Sequence, residues 1–239
     1  TTSGCCPART IGGDTVSDNS IDMLMVVAKV LNRLPQPVVY TGGATIPLYL
    51  DALSARDMRP TDDVDCVVEV TSQREYYQLS TTLRELGLSE DSSPGAPLCR
   101  WLCEGVKLDV MPIDPRILGF GNRWYERGVA ESIDFVLPDG MKIKIFTTAY
   151  LLASKIEAFG NRGKNQFYFS KDFEDIITLF NGSPSLIPEI TASESEVRNF
   201  ITAWVRAERK NLDTMAPAFL AVSDRLAGRD KLLLQTIDL

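Results

Sequence analysis

Apolar positions along this chain alternate between two periods, and the switches outline its elements. Ile21, Leu24, Val27, Ala28 and Leu31 recur at helical spacing. A helix is therefore expected over 20–34, capped by Ser17, Asp18 or Asn19 and stopped by Pro35 and Pro37. Residues 38–40 read as a short strand ending in Thr41-Gly42-Gly43, with a helical segment at 44–52 after it. The β-branched run 64–70 is the clearest strand, and 74–86 is a helix closed by Gly87. Strands at 98–103 and 106–111 pair around Glu104-Gly105, and 133–137 pairs with 141–146 across Pro138-Asp139-Gly140. From 147 onward the period is helical, with helices expected at 149–159, 171–180, 194–210 and 215–226 and a loop marked by Pro184 and Pro188.

This pattern gives a polar tail over 1–19, a mixed α/β unit over 20–146 and a helical region over 147–239. No stretch is long and apolar enough to span a bilayer, and 1–19 lacks the basic and apolar parts of a signal peptide, so a cytoplasmic location is expected. The chain has 239 residues, is 44% hydrophobic and carries a net charge of −7, which argues against a nucleic-acid coat over the whole surface. It has no histidine, which excludes Ser-His-Asp and Cys-His catalysis and His-ligated zinc chemistry. The five cysteines complete neither a disulfide framework nor a zinc site, and read as buried thiols. Any reaction must run on carboxylates, Lys/Arg, hydroxyls, thiols or a metal held by oxygen.

Three features fall where one active site needs them. Gly42-Gly43 sits between a strand and a helical segment, where bare backbone N–H groups can approach an anion. Thr61-Asp62-Asp63-Val64-Asp65 runs into the best strand, and alternation sends Asp63 and Asp65 to one face with Val64 on the other. Two carboxylates side by side repel unless a cation joins them, and oxygen-only ligands suit magnesium. Asp109 is an acid on an apolar strand, expensive to bury unpaired, and it makes a third carboxylate. Such a trio could hold two metals, the template for in-line displacement at phosphorus. Lys142, Lys144, Lys155, Arg162, Lys164 and Lys171 gather positive charge in one segment, with Asp172 and Asp175 at i and i+3 on the next helix. Tyr150 and Trp204 could stack on a base or pack in the core.

Gly42-Gly43, Arg59-x-Thr61-x-Asp63-Val64-Asp65 and Asp109 together resemble the core pattern of polymerase-beta-like nucleotidyltransferases. The segment from Lys155 to Arg162, followed by Lys171-Asp172-Phe173-Glu174-Asp175, is similar to the AbiEii/AbiGii-type nucleotidyltransferase toxins, and the match covers roughly residues 38–180. The resemblance implies an α+β fold with a mixed sheet flanked by helices and a C-terminal helical region that completes the active site. It implies metal-binding roles for Asp63, Asp65 and Asp109. Nucleotide contacts would come from Gly42, Gly43, Thr45, Lys155, Arg162 and Lys171, and Asp172 would be a further catalytic acid beside Lys155. The implied reaction is Mg2+-dependent transfer of a nucleoside monophosphate from a triphosphate to RNA, notably tRNA, or to protein. The implied setting is a bacterial toxin–antitoxin or phage-defence system with a cognate antitoxin as partner. The alternatives are an aminoglycoside-type small-molecule nucleotidyltransferase and a non-catalytic nucleotide-binding module. On this reading Lys155→Ala abolishes transfer and leaves the fold intact.

Overall fold

The structure, a computed structural model, describes residues 16–162 and 166–220. Its centre is the strand β2 (Asp63–Val68), half of whose residues are valine. β1 (Val38–Thr41) pairs with it antiparallel, and β5 (Val106–Pro112) pairs with it parallel on the other side. The hairpin of β4 (Arg100–Cys103) with β5 and the short β3 (Ser89–Glu90) extend one flank. The hairpin of β6 (Ile133–Val136) with β7 (Lys142–Ile145) extends the other, β7 lying parallel to β1. The result is a seven-stranded mixed sheet in the order β3-β4-β5-β2-β1-β7-β6.

Helices flank this sheet. α1 (Val16–Leu31) lies across β2, β4 and β5 and buries Leu24, Val27, Ala28 and Leu31, four of the five positions its helical period marks, with Ile21 half-buried. α2 (Gln73–Glu85) opens with a capping box, in which Ser72 accepts from the Glu75 N–H and Glu75 reaches back to Ser72. α3 (Tyr125–Ala130) is one short turn before β6. After the sheet come α4 (Thr148–Arg162), α5 (Lys171–Gly182), α6 (Leu186–Ala192) and α7 (Ser195–Met215), with α4 packed against α5, α6 and α7. Strand residues such as Val64 and Leu108 and helix residues such as Leu151, Phe173 and Ile201 belong to one continuous apolar core. Each such side chain contributes roughly 1.5–3 kcal/mol on burial.

Four local differences from the sequence expectation have physical causes. α1 begins at Val16 because an apolar period marks only the buried face and passes over a polar first turn. The 44–52 segment forms a 3-10 helix, Gly43–Tyr49. Pro47 supplies no N–H inside it, and the turn is closed by bonds of three-residue span from Thr45 N and Thr45 Oγ1 to the Gly42 carbonyl. Where Pro184 and Pro188 suggested a loop, α6 forms. Pro188 falls in its first turn, where a missing N–H removes no helical bond. α7 runs on through Met215 and ends in a 3-10 turn, Ala216–Phe219, where a separate helix over 215–226 was expected. The rest of that span lies outside the described residues.

Candidate active site

The site grows from the pleat of β2. Val64 is fully buried, so Asp63 and Asp65 emerge together on the opposite face. Parallel pairing with β5 sets Asp109 beside Asp65, and antiparallel pairing of β4 with β5 sets Arg100 beside Asp109. Three strands thus carry Asp65, Asp109 and Arg100 in one row. The Arg100 guanidinium donates from Nε to Asp109 Oδ1 at 2.8 Å and from Nη2 to Asp109 Oδ2 at 2.8 Å. The same Nη2 donates to Asp63 Oδ2 at 2.8 Å, while Thr61 Oγ1 donates to Asp63 Oδ1 at 3.2 Å. These bonds to Asp109, and that carboxylate's charge, hold the Arg100 guanidinium above its already high range.

Asp65 is treated differently. Among the described residues no donor reaches its carboxylate. Burial pushes its carboxyl up to about 7, and the neighbouring Asp63 and Asp109 push the same way against Lys155 and Arg162. It lies against the glycine turn. A Cβ at Gly42 would fall 1.9 Å from Asp65 Oδ2, and Gly42 has φ +78° and ψ −165°, a conformation nearly restricted to glycine. Gly42 therefore exists here for close approach between the turn and the carboxylate. Gly43 is a few ångströms farther on, where an added Cβ would sit 3.3 Å from Arg59 Nη2.

The facing wall comes from α4 and α5. Lys155 Nζ lies 2.6 Å from Asp175 Oδ2 and 3.6 Å from Asp172 Oδ1. Burial alone would lower the lysine's affinity for its proton, but Asp175, Asp172 and Asp65 outweigh it and hold the ammonium above its ordinary range. Arg59 grips Asp175 through two bonds of 2.9 and 2.8 Å, tying the segment before β2 to α5. Arg162 Nη2 pairs with Asp172 at 2.9 Å from a side chain that is 72% exposed.

Between these walls lies a cavity of about 640 Å³. Gly42, Gly43, Asp63, Asp65, Asp109, Lys155, Arg162, Lys171 and Asp172 all line it, so the structure brings together nine of the ten residues singled out from the sequence. Thr45 is not among them; it is fully buried beneath the turn, bracing the Gly42 carbonyl at 2.9 Å. The basic segment divides. Lys142 and Lys144 lie on β7 away from the cavity, with Lys144 paired to Asp134, and Lys164 lies outside the described residues. Tyr150 is buried in the core, and Trp204 packs edge-on to Phe159; neither lines the cavity. Cys66, Cys99 and Cys103 are buried and free. Cys99 borders the cavity, its thiol pushed up to about 12 by burial and by Asp109 and Asp65.

The residue that sequence reasoning missed is Arg100. Its signal was available, because a two-residue Glu104-Gly105 turn pairs Cys103 with Val106 and, three steps back, Arg100 with Asp109.

With the geometry in view, comparison with known proteins adds the fold class. The chain superposes on the crystal structure of an antigenic nucleotidyltransferase-like protein from Paracoccidioides brasiliensis, with 22% identity and a TM-score of 0.53, covering 85% of this chain and 94% of that one. It also aligns with the solution structure of the antibiotic-resistance factor ANT(2'')-Ia at 12% identity and a TM-score of 0.46, over 82% of this chain and 96% of that one. No protein-family model matches the sequence, and no curated protein does. The fold is of the nucleotidyltransferase type.

Proposed function

We propose that this protein is a nucleotidyltransferase that moves a nucleoside monophosphate from a triphosphate to an acceptor hydroxyl and releases pyrophosphate. The observation that carries this is the Asp65 carboxylate. Among the described residues it is left without a donor, against the Gly42-Gly43 turn, in a cavity whose far wall is cationic. Among the described residues no ready-made cage of three acidic or thiol ligands exists. The donor set nevertheless fits a hard divalent cation, because it is all oxygen and Asp63 and Asp65 share one strand face with Asp65 uncompensated. Asp63 and Asp65, with Asp109 beside them, would hold magnesium, which would supply positive charge to offset that of the carboxylates and of a phosphate.

The chain's own groups then divide the work. The Gly42-Gly43 turn, where a Cβ on Gly42 would run into Asp65, would offer its backbone to a phosphate. Asp109, held in orientation by Arg100, takes the proton of the acceptor hydroxyl as it attacks the α-phosphorus. Lys155, Arg162 and Lys171 face the charge that develops on leaving pyrophosphate. No histidine is needed.

The finer reading rests on the resemblance to AbiEii/AbiGii-type toxins, which runs through the residues of α4 and α5 that line the cavity. It gives an RNA or protein acceptor, a toxin role and a cognate antitoxin. Among the described residues no helix is long and apolar enough to cross a membrane.

The test is incubation with each α-labelled nucleoside triphosphate and magnesium, together with total RNA, cell protein or an aminoglycoside, beside Asp65→Asn. Transfer of label by the wild type, reduced by at least about 1,000-fold in the variant, is the expected result. The labelled fraction identifies the acceptor class. Magnesium-dependent label in none of the fractions overturns the enzymatic reading.

A further inference from the structure

Arg100 stands between the acids that the proposed reaction uses. Its three bonds are unequal in kind. Two form a fork onto both oxygens of Asp109, in which Nε and Nη2 each take one oxygen at 2.8 Å. The third reaches sideways from the same Nη2 to Asp63 Oδ2 at 2.8 Å. The other oxygen of Asp63 is taken by Thr61 at 3.2 Å, so Asp63 has both oxygens engaged while Asp65, two residues along the same face, has neither engaged among the described residues. A cation that binds Asp63 and Asp65 together meets Arg100 already on one of the oxygens it needs. The side chain is 17% exposed and reaches from β4 across β5 to β2, so its charge is only partly screened at that point.

We propose that Arg100 is a positioning residue with two separable actions: its fork fixes Asp109 for the acceptor hydroxyl, and its third bond competes with a divalent cation for Asp63. The inference rests on the nucleotidyltransferase reading. For Asp63 to hold a cation, Arg100 would give up its single bond to Asp63 and could keep the fork on Asp109. The guanidinium thereby keeps the acidic face from binding divalent cations tightly before a triphosphate arrives with its own negative charge. No covalent step is involved.

The two actions predict opposite effects of one substitution. Arg100→Gln removes the charge from beside Asp63 and breaks the fork on Asp109. Mn2+ titrated into the full-length protein without nucleotide, followed by the electron paramagnetic resonance signal of free Mn2+, is expected to bind about tenfold tighter to the variant. That is the size of effect that one neighbouring charge exerts on a carboxylate. Transfer turnover is expected to fall by at least about 100-fold in the same variant. Arg100→Lys, which keeps a charge but has no fork, is expected to hold Mn2+ affinity within about threefold of wild type while turnover still falls. Circular dichroism and thermal melting confirm that each variant is folded.

A merely structural arginine would leave Mn2+ affinity unchanged or weaken it. Equal or weaker Mn2+ binding by Arg100→Gln, alongside normal label transfer by the wild type, overturns this proposal and leaves the nucleotidyltransferase reading standing. An Arg100→Gln protein that fails to fold passes the decision to Arg100→Lys, where turnover within twofold of wild type overturns it. Absence of Mn2+ binding by wild type and variants alike overturns it as well, because there is then no cation to compete with. Absence of transfer with every triphosphate defeats the underlying reading instead.

Discussion

The two walls of the cavity are built from similar numbers of charges and solve the electrostatic problem in opposite ways. The helical wall pairs both of its acids and keeps a surplus of cations. Lys155, Arg59 and Arg162 are each within ion-pair distance of Asp172 or Asp175, and both acids are buried together with Lys155. The strand wall is neutralised only in part. Arg100 serves Asp63 and Asp109 and leaves Asp65 with no ion pair among the described residues, only the more distant charges of Lys155 and Arg162. The difference follows from the elements. Helical i and i+3 spacing and flexible cationic side chains let α4 and α5 assemble a network from distant positions. On a sheet the neighbours are fixed by register, and register puts Asp65 next to Asp109, not next to a base. A complete network stabilises the fold, whereas an incomplete one is a place for something else to bind.

The sharpest way to break this contrast is Lys155→Ala. From sequence alone this change is expected to stop transfer and spare the fold. The structure revises the second half, because Lys155 is buried between two buried acids. Removing one partner of such a network leaves uncompensated charge and costs about 3 kcal/mol, even though Asp175 retains Arg59 and Asp172 retains Arg162. Denaturant unfolding is expected to show that loss together with the loss of transfer. Unchanged stability would mean that the helical wall is not a mutually dependent network.

How much of this was legible beforehand follows the same division. The strand acids were readable because a two-residue alternation needs no knowledge of partners: Asp63, Val64 and Asp65 fix their own faces. The glycine turn was readable as a turn, but the reason for Gly42 lies in Asp65, twenty-three residues away in sequence and 1.9 Å from an added Cβ. The helical network was half legible. The acids Asp172 and Asp175 were visible at i and i+3, but which cation each meets is decided by the packing of α4 on α5 and by Arg59 arriving from before β2. Thr45 shows the limit of motif transfer, since in a 3-10 turn its hydroxyl folds back onto the Gly42 carbonyl. A short helix with proline in its first turn, such as α6, was hidden because proline reads as a breaker unless its position in the helix is known.

The strand wall is tested by pH. Asp65 titrates near 7 in the folded chain and near about 4 when unfolded. Below about pH 4 both states hold the proton and the full contribution to stability is present. It is lost progressively as pH rises toward 7, because the unfolded chain gives up the proton readily and the folded chain must give it up in place. Between pH 5 and 7 the loss from this group is on the order of 2 kcal/mol. Melting temperatures at pH 5, 6, 7 and 8 are expected to fall with that slope in the wild type and to flatten in Asp65→Asn. Magnesium is expected to restore the wild-type value most strongly at pH 7 and above, where the carboxylate is ionised. Equal slopes in the two proteins would place the missing counter-charge elsewhere.

The smallest expected effect separates binding from architecture within the helical wall itself. Arg162 belongs to the network through Asp172, but its side chain is 72% exposed, so its pair is screened by water in a way that the Lys155 pairs are not. Arg162→Gln is therefore expected to change stability by less than about 0.5 kcal/mol. It still lines the cavity, at the end of α4 beside Asp172 and opposite the carboxylates. If outer cations meet the phosphates while inner ones hold the wall together, this variant raises KM for the triphosphate by about fivefold at low salt, and by less as salt screens the same charge. Steady-state kinetics at two ionic strengths read both numbers. A KM that does not move would assign Arg162 to Asp172 alone and leave phosphate contact to Lys171 and the glycine turn.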